Sequence, residues 1–499
     1  YRAHSRARRN SGNARLGWQL DDRRRLTVVL NTLSLPVAQD PLGLTPDQYR
    51  RDPRQADAAA VQYDTRKSVA QQQVGLAYDD RISAAGELHL MAYYGERSVL
   101  QYLSIPPAAQ ASPLHAGGVV DLGNAYGGID ARWSWQHTLA GRPFELTAGA
   151  SYDNQRQYRR GFENFVGDTL GVRGALRRDE RDRVRDADQY AQASWRVARA
   201  WTLMAGLRRS VVNFATADRY VTAGNPDDSG RARYSASTPV AGVLYRLAPG
   251  AHLYASYGKG FETPTFSELG YRDDSRGGLN LGLRAAHTRS AEIGLKLQPQ
   301  PGTQAGIAVF RADSRNELAV ATNLGGRTTY QNIHQARRQG AEASLAHALG
   351  ARWKLHLAYT YLDAAFRSPF LACAGRCATP ATPVAAGARM AGVPRSQAYA
   401  ALHFGGERGW QGDLDGRRLG AVPADDLGTV SAPAHAVFGI GAGYIAVLGQ
   451  WRTHAFARID NLLDRRYVGS VIVNDGNGRY FEPAPGRSFL LGLDLRWEP

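Results

Sequence analysis

The closing segment SFLLGLDLRW, residues 488–497, alternates. Phe489, Leu491, Leu493, Leu495 and Trp497 fall on one parity, and Ser488, Gly492, Asp494 and Arg496 on the other, with Leu490 the one apolar intruder. A period of two with an apolar face ending in an aromatic fits a strand that has lipid on one side and a wet lumen on the other. A strand of a soluble sandwich can read the same way, so the rest of the chain has to decide.

The same rhythm recurs in Leu26, Val28 and Leu30; Val74, Leu76 and Tyr78; Leu88, Leu90, Ala92 and Tyr94; and Ile129, Ala131, Trp133 and Trp135. It continues in Phe144, Leu146, Ala148, Ala150 and Tyr152; Trp201, Leu203, Ala205 and Leu207; Ala291, Ile293, Leu295 and Leu297; and Leu355, Leu357, Tyr359 and Tyr361. The pattern predicts about 19 strands, and no helical period of 3.6 is sustained. Two kinds of connection take turns. Short ones fall near 21–24, 80–85, 139–143, 198–200, 247–251, 298–302, 347–352, 404–408 and 447–451. Long ones fall near 34–68, 97–125, 156–187, 213–233, 259–287, 314–334, 364–396, 415–433 and 462–487. Short periplasmic turns alternating with long extracellular loops is the layout of an outer-membrane barrel, whereas propellers and sandwiches have no reason to sort their loops. The fold class expected is therefore all-β, a transmembrane antiparallel β-barrel in the bacterial outer membrane.

The tryptophans support that orientation. All nine, Trp18, Trp133, Trp135, Trp195, Trp201, Trp353, Trp410, Trp451 and Trp497, lie near a short connection or at the last strand end. Indole prefers the headgroup boundary, so they form one girdle.

Only 43% of residues are hydrophobic, and no run approaches the roughly 18 apolar residues of a membrane helix. Barrels escape that test, because each strand carries its apolar residues at alternate positions. The net charge of +16 suits either solvated, arginine-rich loops or arginines gathered above a lumen to attract an anion. The arginines are spread over many loops without a compact motif, which argues against nucleic acid. Neither a GxSxG elbow nor an HExxH pair occurs, so the chemistry in reach is recognition rather than catalysis. The two cysteines, Cys373 and Cys377 in CAGRC, lack the further ligands a zinc site needs, and are a small disulfide or free thiols.

The segment YASYGKGFETPTFSELGYR (254–272), NLLDRRYV (461–468) and the closing alternating strand resemble the barrel of TonB-dependent outer-membrane receptors. That resemblance implies a barrel of the 22-stranded type closed by an N-terminal plug, with import driven by the TonB–ExbB–ExbD complex. DPRQ (52–55), QYDTRKS (62–68), HAGGVVDL (115–122), GALRRDER (174–181), GFETPT (260–265) and the run 458–487 are similar to the subfamily associated with pyrroloquinoline quinone uptake. The sequence departs from the family pattern in showing neither plug nor TonB box. Residues 1–499 are expected to be a partial barrel domain short of about three early strands, with Tyr1–Ser5 the tail of one of them and two open edges. The resemblance further implies a monomer with outer-membrane lipid around it, no cofactor, and a small anionic ligand, either the quinone or a ferric siderophore. A passive porin is the remote alternative.

Parity and position give the candidate ligand residues: Tyr93 and Arg97 at the outer end of one strand, then Arg159, Arg160, Lys259, Arg272, Arg337, Arg338, Arg479 and Tyr480 at strand tops or in loops. Guanidinium forks bind carboxylates bidentately, which is the reason for choosing arginines. Each can equally be a solvated or loop-bracing side chain. Phe261 and Pro264 are read as bracing the loop after their strand, and Asn461, Asp464, Arg465 and Tyr467 as fixing a strand-to-loop junction.

Overall fold

The computed structural model describes residues 1–272, 277–324 and 327–498. Residues 273–276 of the loop expected at 259–287, and 325–326 of that expected at 314–334, lie outside the described residues.

Nineteen strands form one antiparallel up-and-down sheet. They are β1 (Ala7–Gln19), β2 (Arg24–Gln39), β3 (Arg66–Asp80), β4 (Gly86–Tyr102), β5 (Val119–Leu139), β6 (Arg142–Phe162), β7 (Leu176–Trp195), β8 (Trp201–Asp218), β9 (Gly230–Ala248) and β10 (Ala251–Glu262). The remainder are β11 (Ala286–Leu297), β12 (Thr303–Leu324), β13 (Arg327–Leu349), β14 (Trp353–Phe366), β15 (Ser396–Phe404), β16 (Gly409–Leu419), β17 (His435–Leu448), β18 (Trp451–Asp460) and β19 (Ser488–Trp497). Each pairs with its neighbours in sequence, and among the described residues no ladder joins β1 to β19. Among the described residues β1 pairs only with β2 and β19 only with β18, and every residue of β1 is exposed.

The two faces separate by parity. Leu203 and Leu207 of β8, Ile293 of β11, and Ile307 and Val309 of β12 are large apolar side chains open on the outside, where lipid covers them. On the opposite parity the lumen wall is polar. The Tyr126 hydroxyl donates to Gln73 Oε1 at 3.0 Å, and Gln155 and Gln157 donate to Asn124 Oδ1 at 3.1 and 2.8 Å. Several lumen glycines face an aromatic on the next strand. A Cβ at Gly95 would lie 2.6 Å from its cross-strand partner Tyr126, and one at Gly294 would lie 2.6 Å from Tyr254, so the ring covers the glycine and leaves no room for a side chain.

The strands run higher than their alternation signals. β6 ends at Phe162 and β7 begins at Leu176, shortening the loop expected at 156–187 to a connection of 163–175. Residues 314–324 and 327–334 are strand rather than loop, because β12 and β13 continue their ladder there, pairing Ala319 with Gln331 and Thr322 with Thr329. Thr, Val, Tyr and Ile there favour extended backbone. Tyr1–Ser5 is a turn rather than a strand tail, docked on the loop 40–65: the Ala3 amide donates to Arg54 O at 3.1 Å and Arg2 Nε to Gln55 O at 3.0 Å.

The apolar cores lie at the top, where loops fold onto the inner wall. Loop 263–285 brings Leu269, Leu279 and Leu283 against Val212, Phe214 and Tyr234; loop 367–395 brings Ala372, Val384 and Met390 against Ala319, Ile333 and Phe366. The loops also hold short helices, α1 (Pro46–Arg51), α2 (Ala58–Gln62) and α3 (Phe266–Leu269). Both α1 and α3 begin with capping boxes, Thr45 with Gln48 and Thr265 with Glu268, in which side chain and backbone exchange hydrogen bonds.

Candidate functional site

Loop 461–487 leaves β18 through a turn that its own side chains build. Asn461 accepts from the Arg465 amide at 2.8 Å and donates to Arg465 O at 2.9 Å, while Asp464 accepts from the Arg487 amide at 2.8 Å. Asn461 and Asp464 both take the left-handed backbone that Asn and Asp tolerate well. The turn aims Tyr467 inward. Its ring lies against that of His435, centroids 4.5 Å apart and tilted by 33°, and Arg417 Nη2 donates to its hydroxyl at 3.3 Å. Beneath the loop lies a cavity of about 660 Å³ lined by Thr360, Gln397, Tyr399, Arg417, His435 and Tyr467. It offers aromatic faces beside a guanidinium, and its Glu482 carboxylate is occupied by the Ser470 hydroxyl.

A second cluster sits under loop 263–285. The guanidiniums of Arg159, Arg178 and Arg327 lie 5.5, 5.5 and 5.2 Å from the centre of the Tyr271 ring. Burial alone would raise the Tyr271 phenol, but the three arginines outweigh it and hold it below the ordinary tyrosine value. Arg178 also contacts Glu180 at 2.6 Å and donates to Gly270 O at 3.0 Å. The group clamps the loop and leaves little open space.

Three loops above the barrel meet at Asp426. Its carboxylate accepts from the Ala391 amide at 3.0 Å and from Asn474 Nδ2 at 2.7 Å, joining 367–395, 420–434 and 461–487. Cys373 and Cys377 are bonded in the first of these loops.

The ten sequence-predicted residues do not converge on one place. Tyr93 faces the lumen and donates to Asp153, and Arg97 stands on the same side, exposed, with Gln71 Oε1 at 3.4 Å. Arg159 is in the clamp. Arg160 pairs with Asp121 at 2.8 Å, Arg338 with Glu317 at 2.7 Å, and Arg479 with Asp57 at 3.1 Å, each bracing a strand top or loop. Arg272 lies near Asp228, and Tyr480 packs against the core around Val422. Lys259 and Arg337 share the parity of Tyr257 and Leu345, which puts them on the outer wall. The cavity residues Tyr399, Arg417 and His435 were not singled out as candidates. Tyr399 and Arg417 sit on the lumen parity of strands whose outward positions are apolar, and that is the one signal that could have found them.

A tall sheet with an apolar outer belt, a polar lumen and loops folded over its top defines an outer-membrane β-barrel receptor. The match of residues 2–462 to the family model "TonB dependent receptor-like, beta-barrel" shows that the chain belongs to that family, whose members are transporters of the outer membrane and not enzymes. They work with TonB–ExbB–ExbD and bind small ligands. Among solved structures, the chain is similar to the unliganded ferric citrate transporter FecA, with 17% identity, a TM-score of 0.79, and 99% of this chain and 71% of that one covered. It is also similar to the siderophore receptor PiuA from Acinetobacter baumannii, with 15% identity, a TM-score of 0.79, and 99% and 75% covered. The copper transporter OprC matches with 15% identity, a TM-score of 0.75, and 98% and 72% covered. At such identities the likeness speaks for the fold.

Proposed function

We propose that this receptor captures pyrroloquinoline quinone and passes it to the periplasm with TonB-supplied energy. The observation that carries the reading is the cavity under loop 461–487. Tyr399, Tyr467 and His435 offer ring faces to a planar heteroaromatic, and Arg417 offers a fork to its carboxylates. The runs that resemble the quinone-uptake subfamily include this loop. The second reading is a ferric siderophore receptor, favoured by solved structures of similar fold that are described as a ferric citrate transporter, a siderophore receptor and a ferric yersiniabactin uptake receptor. In either case capture is by the barrel and loops.

The test is calorimetric titration of the full-length receptor in detergent with pyrroloquinoline quinone, beside a panel of ferric siderophores. Saturable binding of the quinone alone, weakened by on the order of 1 to 3 kcal/mol in Arg417→Gln, supports the proposal. Binding of a ferric chelate with no heat from the quinone replaces it with the second reading.

A further inference from the structure

Four adjacent strands carry a row of cations on the lipid-facing wall. Ladder pairing sets Lys259 of β10 opposite Arg289 of β11, Arg289 opposite Asp313 of β12, and Asp313 opposite Arg337 of β13. Arg311, two residues below Asp313, has the same parity. All continue the parity of Tyr257, Ile293, Ile307 and Val309, so they stand directly above side chains that meet lipid tails. The register therefore places one acid among four cations, a net charge of about +3 facing outward just above the apolar belt.

The arrangement is poor as self-contained structure. Lys259 and Arg289 are directly opposite and alike in charge, which destabilises a sheet. Neither pairs with a carboxylate among the described residues, and Arg289 is exposed. The one acid acts as a spacer: Asp313 takes Nε of Arg311 at 2.8 Å and Nε of Arg337 at 2.6 Å. That contact engages both guanidiniums through their inner nitrogens, and no hydrogen bond to Asp313 comes from the terminal ones. Paired guanidinium forks beside a lysine match phosphate oxygens. A free anion could neutralise the row, but only a lipid would also use the belt beneath it.

We propose that this row is a docking site for a lipid with a multiply phosphorylated headgroup in the outer leaflet. Its phosphates sit on Lys259, Arg289, Arg311 and Arg337, and its chains lie along Ile293, Ile307 and Val309. The site is on the opposite face of the wall from the ligand cavity, so it holds whichever ligand the receptor imports.

The experiment uses the full-length receptor in neutral detergent and native mass spectrometry. The probes are bisphosphorylated lipid A and its dephosphorylated form with the same chains. The wild type is expected to retain the phosphorylated lipid about tenfold or more better, the worth of one charge-assisted hydrogen bond. Lys259→Gln/Arg289→Gln/Arg337→Gln loses that preference, while Arg338→Gln, on the lumen side, keeps it. Equal retention of the two lipids by the wild type overturns the proposal without any variant. So does a preference that survives the triple change, or displacement of the lipid by equimolar inorganic phosphate, which would make the row a simple anion site.

Discussion

The Arg327 guanidinium lies 5.2 Å from the centre of the Tyr271 ring, and this contact ties loop 263–285 to the top of the tallest hairpin of the barrel, where β13 begins. Arg159 and Arg178 complete the cage.

Because those three cations outweigh burial, the Tyr271 phenol ionises below 10.0 in the folded receptor. A folded-state value below the unfolded one adds stability that grows as pH rises from the first value to the second, and is lost as pH falls through the folded value. A difference titration between wild type and Tyr271→Phe, followed by phenolate absorbance, should show one tyrosine ionising ahead of 10.0. A midpoint at or above that value would show that the cage does not act on the phenol.

Asp426 works with the opposite sign. Burial raises its carboxyl, more than the donors from Ala391 and Asn474 lower it. Its contribution is therefore complete below the unfolded value of 3.8 and declines as pH climbs through the raised one. Asp426→Ala removes the shared acceptor of three loops and should release them, at a cost of about 1 to 3 kcal/mol. Limited proteolysis should then cut 367–395 and 461–487 faster while the strands stay intact; an unchanged digestion pattern would mean the loops are held elsewhere.

Arg97 is the least committed of the sequence-predicted arginines, with one long contact to Gln71 on the open lumen wall. Arg97→Ala is expected to leave thermal unfolding unchanged and to weaken ligand binding by on the order of 1 to 3 kcal/mol. Unchanged affinity would take it off the ligand's path.

The two-faced wall makes a sharp contrast possible within one strand. Ile307 is 54% exposed on the lipid face, and its neighbour Ala308 lines the lumen. Ile307→Arg should cost about 2 to 4 kcal/mol of barrel stability, and Ala308→Arg much less. Urea unfolding in lipid vesicles measures both; equal costs would mean the parity is assigned wrongly.

The barrel was legible because lipid writes the period-two pattern into the sequence, and the pattern stops where lipid stops. The stretch Arg178–Asp186 is strand with polar residues on both faces, so its alternation does not mark it, whereas the tops of β12 and β13 carry apolar residues on both parities because loops pack on them, and in each case the period of two is lost before the strand ends. The short helices had a visible signal in TPDQ and TFSE, the two capping boxes, but no apolar period behind it. The ligand cavity was half visible. Tyr467 stood in a recognisable run, yet its partners Arg417 and His435 come from other strands, and only the register brings them together. Charge alone could not separate Arg97, on the lumen wall, from Arg337, on the outer one; parity counted to the top of each strand does.

Nine indoles at one rim, against tyrosines such as Tyr94, Tyr257 and Tyr361 higher on the outer wall, moor the barrel most firmly from below. In a thicker or thinner bilayer, the periplasmic rim keeps its depth while the upper wall takes up the mismatch. The vestibule then rises or sinks against the headgroups as the membrane changes, and with it the access of ligand to the loops. Quenching by lipids brominated at graded depths reads this as a single indole depth, constant across bilayers of different chain length; two depths would mean a second mooring at the top.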